Sequence, residues 1–385
     1  MFRCVSLLLL SCAGGAGAKN TEPAAGPPST TVLATDARFV TALGRPYAPA
    51  GGGAGLGCSW LGCGVRVSHT GRALRATYAA TASFFKVAAA QSDEEYMPWQ
   101  GQLLVPASDN NETVAVAHGA GVVDIMLSLP PQYFDGGAGA AVLLSLTSDG
   151  GVFKPAPEAP ARVFHILGDS ITAATNIHGG VAAGCADEGF QSDGAASWAG
   201  IICGFFGASC STVAVGGKCL IDACGGTQMP EYYRKARYTD AGDTFAFKDA
   251  PPVAFFSYLG TNDYHGRNGT AVDQEFADAY LTLFANVTQN YYPLDNNVTF
   301  FLLLGPMSPT LPRNATQAAV ERGTAAGFRV VLIDATEACH LLPGQTGGCT
   351  DGCATHPGVA SHRNIARTVA PIVAQTLGWP MPGAL

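Results

Sequence analysis

Charge is scarce in this chain. Only 13% of its 385 residues are Asp, Glu, Lys or Arg, and 21 basic residues face 29 acidic ones for a net charge of -8. Lys and Arg form no cluster, so neither nucleic acid nor an anionic lipid surface is expected as the main partner. The apolar stretch at the N-terminus, centred on Leu7–Leu10, falls far short of the ~20 residues that span a bilayer. No membrane span is expected. What the chain does hold is apolar residues in short pieces (48% in all) and 48 glycines, the material for a filled core joined by many tight turns.

Residues 1–18 read as a signal peptide. Arg3 gives a basic start, the stretch from Cys4 to Cys12 is mostly apolar, and Ala16-Gly17-Ala18 supplies small residues for cleavage. Leu10-Ser11-Cys12 also fits a bacterial lipid-attachment site. Ten cysteines follow Ala18: Cys58, Cys63, Cys185, Cys203, Cys210, Cys219, Cys224, Cys339, Cys349 and Cys353. An even number set in Gly-rich loops suits disulfides and an oxidising compartment, with Cys58–Cys63 the one plausible pair. No Cys/His partner with zinc-finger spacing accompanies Cys349 and Cys353, so no metal is expected. Sequons at Asn111, Asn268, Asn286, Asn297 and Asn314 favour a secreted, extracellular glycoprotein.

Two textures divide what remains. Residues 19–35, rich in Ala, Pro, Ser and Thr, read as a flexible lead-in. From 36 to 158, runs such as Val65–Ser68, Ala73–Tyr78, Gly101–Val105 and Thr113–Ala117 alternate between turn residues, which predicts an antiparallel β-sandwich. The Pro-rich stretch 155–160 marks the boundary. Beyond it, over 162–380, short apolar runs (Val163–Leu167, Thr212–Val215, Val253–Leu259, Val298–Leu304, Arg329–Ile333) alternate with helix-like segments. That alternation predicts an α/β domain with a five-stranded, doubly wound parallel sheet.

In such a sheet, functional groups gather beyond the carboxyl ends of the strands. Gly168-Asp169-Ser170-Ile171-Thr172 follows the first strand and offers Ser170 as a nucleophile. Gly216-Gly217-Lys218 follows the second, where a glycine N–H can approach a substrate closely. Gly260-Thr261-Asn262-Asp263 follows the third with an amide donor, and His356-Pro357 precedes the last helix. A serine hydroxyl needs a base, and a tetrahedral oxyanion needs fixed donors. Ser170, His356 and the donors Ser170 N–H, Gly217 N–H and Asn262 side chain together supply acyl transfer without a cofactor.

These four segments resemble the signature blocks of the SGNH (GDSL-type) hydrolases, whose sheet is flavodoxin-like. Within that superfamily the chain resembles carbohydrate esterase family two, which joins a jelly-roll-like N-terminal sandwich to the hydrolase. Gly352 to His362 resembles that family's ending, and Gly44-Arg45 with Ser59-Trp60-Leu61-Gly62 resembles its sandwich. The resemblance implies a secreted esterase removing acetyl or other short acyl groups from polysaccharide or oligosaccharide. An SGNH lipase or thioesterase with a longer acyl pocket is the alternative, and an inactive carbohydrate-binding protein is a third reading. Members usually carry an Asp two or three residues before the histidine, but Ala354 and Cys353 stand there. Asp351 is thus a possible third triad member, and a backbone carbonyl orienting His356 in a Ser-His dyad is the preferred reading.

Other polar and aromatic residues read as support. Asp169 is expected to brace the site loop, His165 to be a satisfied core residue and His362 to be structural in the last helix. His178 and His265 are expected on exposed loops. Trp60 is expected in the sandwich core, Trp99 is a candidate sugar-stacking face, and Lys218 is expected to be a solvated loop charge.

Overall fold

The computed structural model describes residues 28–49, 54–79, 85–91, 100–105, 111–128, 141–178, 191–239, 244–245, 247, 251–293, 297–307, 312–339, 351–353, 356–383 and 385. The signal segment, Trp99, Cys185, Cys349 and Ala354 lie outside the described residues.

Alternating apolar residues in the N-terminal half build two five-stranded antiparallel sheets. One has the order β1-β10-β5-β8 with β3 also on β10, from β1 (Thr30–Leu33), β3 (Leu56–Cys58), β5 (Ala73–Tyr78), β8 (Glu112–His118) and β10 (Ala141–Asp149). The other has the order β2-β4-β9-β6-β7, from β2 (Val40–Leu43), β4 (Gly64–His69), β6 (Phe85–Gln91), β7 (Gln100–Val105) and β9 (Gly121–Leu127). Leu74, Ala76 and Leu146 from the first sheet share one apolar core with Val65, Val67, Val123 and Ile125 from the second. This is the expected sandwich. It starts earlier than composition suggests, because Thr30–Leu33, inside the stretch read as a flexible lead-in, pairs in register with Ser145–Ser148. β-branched Thr and Val suit that edge position.

The C-terminal half forms the expected parallel sheet, order β12-β11-β13-β14-β15. Its strands are β11 (Val163–Gly168), β12 (Ser209–Ala214), β13 (Ala254–Tyr258), β14 (Thr299–Leu304) and β15 (Arg329–Asp334). The order is 2-1-3-4-5 by sequence, the flavodoxin-like arrangement. Continuous apolar runs make sense here because both faces are covered. In β14, Phe301 and Leu303 point to the face packed by α1 (Trp198–Phe206) and α5 (Val359–Leu377). Phe300 and Leu302 point to the other, where α2 (Met229–Tyr233), α3 (Thr270–Ala285) and α4 (Arg313–Ala325) lie. The five-residue α2 has too few turns to leave a helical period in the sequence.

Trp60 and Arg45 of the sandwich half reach deep into the C-terminal half. Trp60 belongs to the α2/α3 side of the C-terminal core rather than to the sandwich core, a correction to expectation. The Cys58–Cys63 bridge closes a turn that turns the indole outward, with its Nε1–H donated to the Lys235 carbonyl at 3.1 Å and its ring edge-on to Tyr232 and Tyr238. Arg45 is fully buried, with its guanidinium 4.1 Å from the Phe245 ring and 4.9 Å from the Tyr233 ring. It donates to Ser211 Oγ at 2.9 Å and to the carbonyls of Tyr233 and Lys235. Burial pushes its pKa down to about 10, so it stays charged at neutral pH.

Disulfides also join Cys203 to Cys210, tying the end of α1 to β12, and Cys219 to Cys224 in the loop after β12. Cys339 and Cys353 are disulfide-bonded as well. Loops this short contribute about 2 kcal/mol each on the chain-entropy account.

Candidate active site

The central strand β11 ends at Gly168, which leaves no room for a side chain: a Cβ there would sit 2.0 Å from Thr172 Oγ1. The chain then turns tightly, with Ala173 N–H bonded to the Asp169 carbonyl and Thr175 N–H to the Ser170 carbonyl, both at 3.0 Å. Asp169 Oδ1 accepts the Ile171 N–H at 3.0 Å, capping the turn from inside. Ser170 is therefore held at the carboxyl end of the middle strand, 7% exposed.

The turn continues through two residues with positive φ, Ala174 (53°) and Asn176 (56°). Asparagine tolerates this region and alanine does not, so the bend at Ala174 is over-determined by its surroundings. Asp193 N–H bonds the Ala174 carbonyl, and Ser192 Oγ accepts from Asn176 N–H. Asp193 in turn accepts from Ser128 Oγ at the end of β9 (2.8 Å) and meets His178 Nε2 at 3.0 Å. Sequence reasoning missed Ser192 and Asp193. A Ser-Asp pair following a Gly-rich stretch carries no local signal of this use.

The second and third blocks lie beside the first. Gly217 has φ of 70°, which favours glycine, and is exposed at the end of β12. Asn262, half-buried after β13, donates its amide to the Lys218 carbonyl (3.0 Å) and to Asp169 Oδ2 (3.3 Å). The next residue, the fully buried Asp263, accepts the N–H groups of Leu220 and Ile221 at 2.8 and 2.9 Å. Consecutive residues of the asparagine block thus clasp the glycine block. Burial pushes both acids up, Asp169 to about 7 and Asp263 to about 6, against the pull of their backbone donors.

The histidine block docks on the Ser170 turn through the Cys353 N–H, bonded to the Asn176 carbonyl at 3.2 Å. His356 is half-buried, its N–H on the Cys353 carbonyl and its own carbonyl on the Gly352 N–H. Asp351 faces the start of α5. Its Oδ1 accepts from Gly358 N–H and Ser361 Oγ, both at 2.7 Å, and its Oδ2 accepts from Ser361 N–H at 3.0 Å. It occupies the place of a helix N-cap, where a carboxylate meets orphan donors and the positive end of the helix dipole.

The supporting histidines fall as expected. His362, fully buried in α5, accepts the Trp198 N–H on Nδ1 at 3.1 Å, and burial holds its pKa down to about 3. His165 is buried in β11 with Nδ1 2.6 Å from Tyr233 Oη. His265 is exposed, and Lys218 is half-buried.

Sheet order, the Ser170 turn at its centre and the N-terminal sandwich give the chain the fold of solved SGNH (GDSL-type) hydrolases that carry an N-terminal β-domain. The same two-domain arrangement is found in solved carbohydrate esterases of family two. The structure superposes on a family two carbohydrate esterase from Clostridium thermocellum, solved with cellohexaose, at a TM-score of 0.71 and 22% identity, over 89% of this chain and 100% of the other. It superposes on the acetyl xylan esterase Est2A from Butyrivibrio proteoclasticus at 0.73 and 17%, over 91% and 99%. The cellulase/esterase CelE of Acetivibrio thermocellus is 25% identical over 251 residues, which are 63% of this chain and 29% of that protein. No family model matches the chain.

Proposed function

We propose that this chain is a secreted serine esterase that removes acetyl or other short acyl groups from carbohydrate. The observation that carries the reading is the meeting of four separate blocks at the carboxyl edge of one sheet, with Asp169–Asn262, Asn262–Lys218 and Cys353–Asn176 hydrogen bonds tying them together. Similarity to carbohydrate esterases supports the substrate class. Disulfides in both halves of the chain support export.

In this mechanism His356 takes the Ser170 proton as the hydroxyl attacks the ester carbonyl. The oxyanion is met by Ser170 N–H, Gly217 N–H and the Asn262 amide. Collapse expels the sugar hydroxyl, which recovers the proton from His356, and water then releases the acyl group by the same sequence in reverse. The test is the purified protein against acetylated xylo- and gluco-oligosaccharides and a chain-length series of simple esters. Turnover should be highest for acetyl and fall steeply beyond butyryl; a maximum at octanoyl or longer would favour the lipase reading instead.

Asp351 enters this reading as a cap rather than as a triad member. Its carboxylate is committed to Gly358 and Ser361, which supports a backbone carbonyl, and not Asp351, as the group that orients His356. Asp351→Asn should therefore change kcat by no more than a few-fold while lowering the thermal midpoint, since an amide has one acceptor oxygen for the three donors that converge on Asp351. A true triad carboxylate would instead cost about 10⁴-fold in kcat on the same change. Steady-state kinetics on a short acetyl ester, with thermal melts, separates the two.

A further inference from the structure

We propose that Asp169 is a positioning residue that aims the Asn262 amide at the oxyanion, a role that rests on the esterase reading above. One carboxylate serves two catalytic segments. Its Oδ1 takes the Ile171 N–H at 3.0 Å and so shapes the turn that carries Ser170. Its Oδ2 takes Asn262 Nδ2 at 3.3 Å. The distance between nucleophile and amide donor is thereby set through a single rigid group.

The amide of Asn262 has two hydrogens, and the resting site engages both. The bond to the Lys218 carbonyl, at 3.0 Å, is the shorter and fixes the amide plane. The bond to Asp169 is the longer and weaker, so its hydrogen is the one that an oxygen gaining charge beside Ser170 draws on. Asp169 fixes the direction of that hydrogen, which the oxyanion of the tetrahedral intermediate then shares with Oδ2 as a three-centre bond. Asp169 itself, fully buried, does not reach the substrate.

The energetics fit a residue kept for activity rather than for stability. Burial raises the Asp169 carboxyl to about 7, with Asp263 from the Asn262 loop adding repulsion; Tyr258 of β13 faces Asp169, and Tyr280 of α3 faces both acids. A folded pKa above the unfolded value means that the stabilising contribution is complete below about 3.8 and is lost as pH rises through about 7. At pH 8 the ionised group weighs against the fold. Asparagine cannot replace it, because an amide offers one acceptor oxygen where two donors converge. Either the Ile171 N–H or the Asn262 amide then faces an NH2 group.

The test is a double-mutant cycle on a short acetyl ester at pH 8: wild type, Asp169→Asn, Asn262→Ala and the pair. Asp169→Asn is expected to lower kcat by roughly 10–100-fold, a part of the loss seen when an oxyanion donor is removed outright. KM should stay within about two-fold, as for any interaction made only in the transition state. The double variant should be no slower than Asn262→Ala alone, because the two groups act as one. The thermal midpoint of Asp169→Asn should be unchanged or higher. Losses that multiply, or a fall in thermal midpoint that accompanies the loss of rate, overturn the aiming role. An Asn262→Ala variant with unchanged kcat overturns the oxyanion reading itself, and the aiming role with it.

Discussion

Ser170→Ala is expected to abolish ester hydrolysis without unfolding the protein. The hydroxyl is the one atom group lost, and the turn that holds it is built from backbone bonds and from Asp169, all of which alanine preserves. Without an oxygen to acylate, the covalent path is closed. What remains is whatever the donors provide to a water molecule, so the loss should be at least about 10⁴-fold in kcat. His356→Ala should give a loss of similar size, and the double variant should be little worse than either, because nucleophile and base act together. The readout is release of acetate from an acetylated oligosaccharide, with circular dichroism and melting curves as controls for folding. Near-native turnover by a folded Ser170→Ala protein would falsify the nucleophile assignment.

Asn262→Ala should lower kcat by roughly 10²–10³-fold with little effect on KM. The amide faces an oxygen that carries full charge only in the tetrahedral intermediate, so its contribution appears in the rate and not in ground-state binding. Two structural bonds go with it, to Lys218 and to Asp169. The glycine block keeps its other anchor, since Asp263 still holds Leu220 and Ile221. A variant in which KM rises and kcat does not would make Asn262 a substrate-binding residue. Binding of a boronate or phosphonate ester, which mimics the tetrahedral state, should weaken in parallel with kcat.

Local sequence carried the parts of this molecule that depend on local physics. The five parallel strands show as short continuous apolar runs because each is covered on both faces, as the alternate placement of Phe300 and Phe301 illustrates. The turn at Gly168 and the positive φ of Gly217 show as glycines because the first has no room for a side chain and the second favours a residue without a Cβ. Hidden from the sequence is whatever depends on distant partners. Trp60 looks like a sandwich residue by its neighbours in the chain and is a hydrolase residue by its neighbours in space. Asp351 invites assignment to His356 because it stands five residues upstream, whereas helix α5 brings Gly358 and Ser361 N–H groups to it first. Asp193 joins Ser128 to His178 across 65 and 15 residues, a link that no spacing rule anticipates.

The buried Arg45 bears on how such a protein is inherited. A guanidinium sealed among Tyr233, Phe245 and Phe247 is a sandwich residue whose solvation shell belongs to the hydrolase. Severed from its partner, either half would present the other's missing piece to water: a lone cation on a bare loop, or an aromatic box without its occupant. The front domain is thus no interchangeable accessory, and a genetic rearrangement that swapped it for an unrelated binding module would have to supply a new plug. The packing of Arg45 makes the two halves one folding unit.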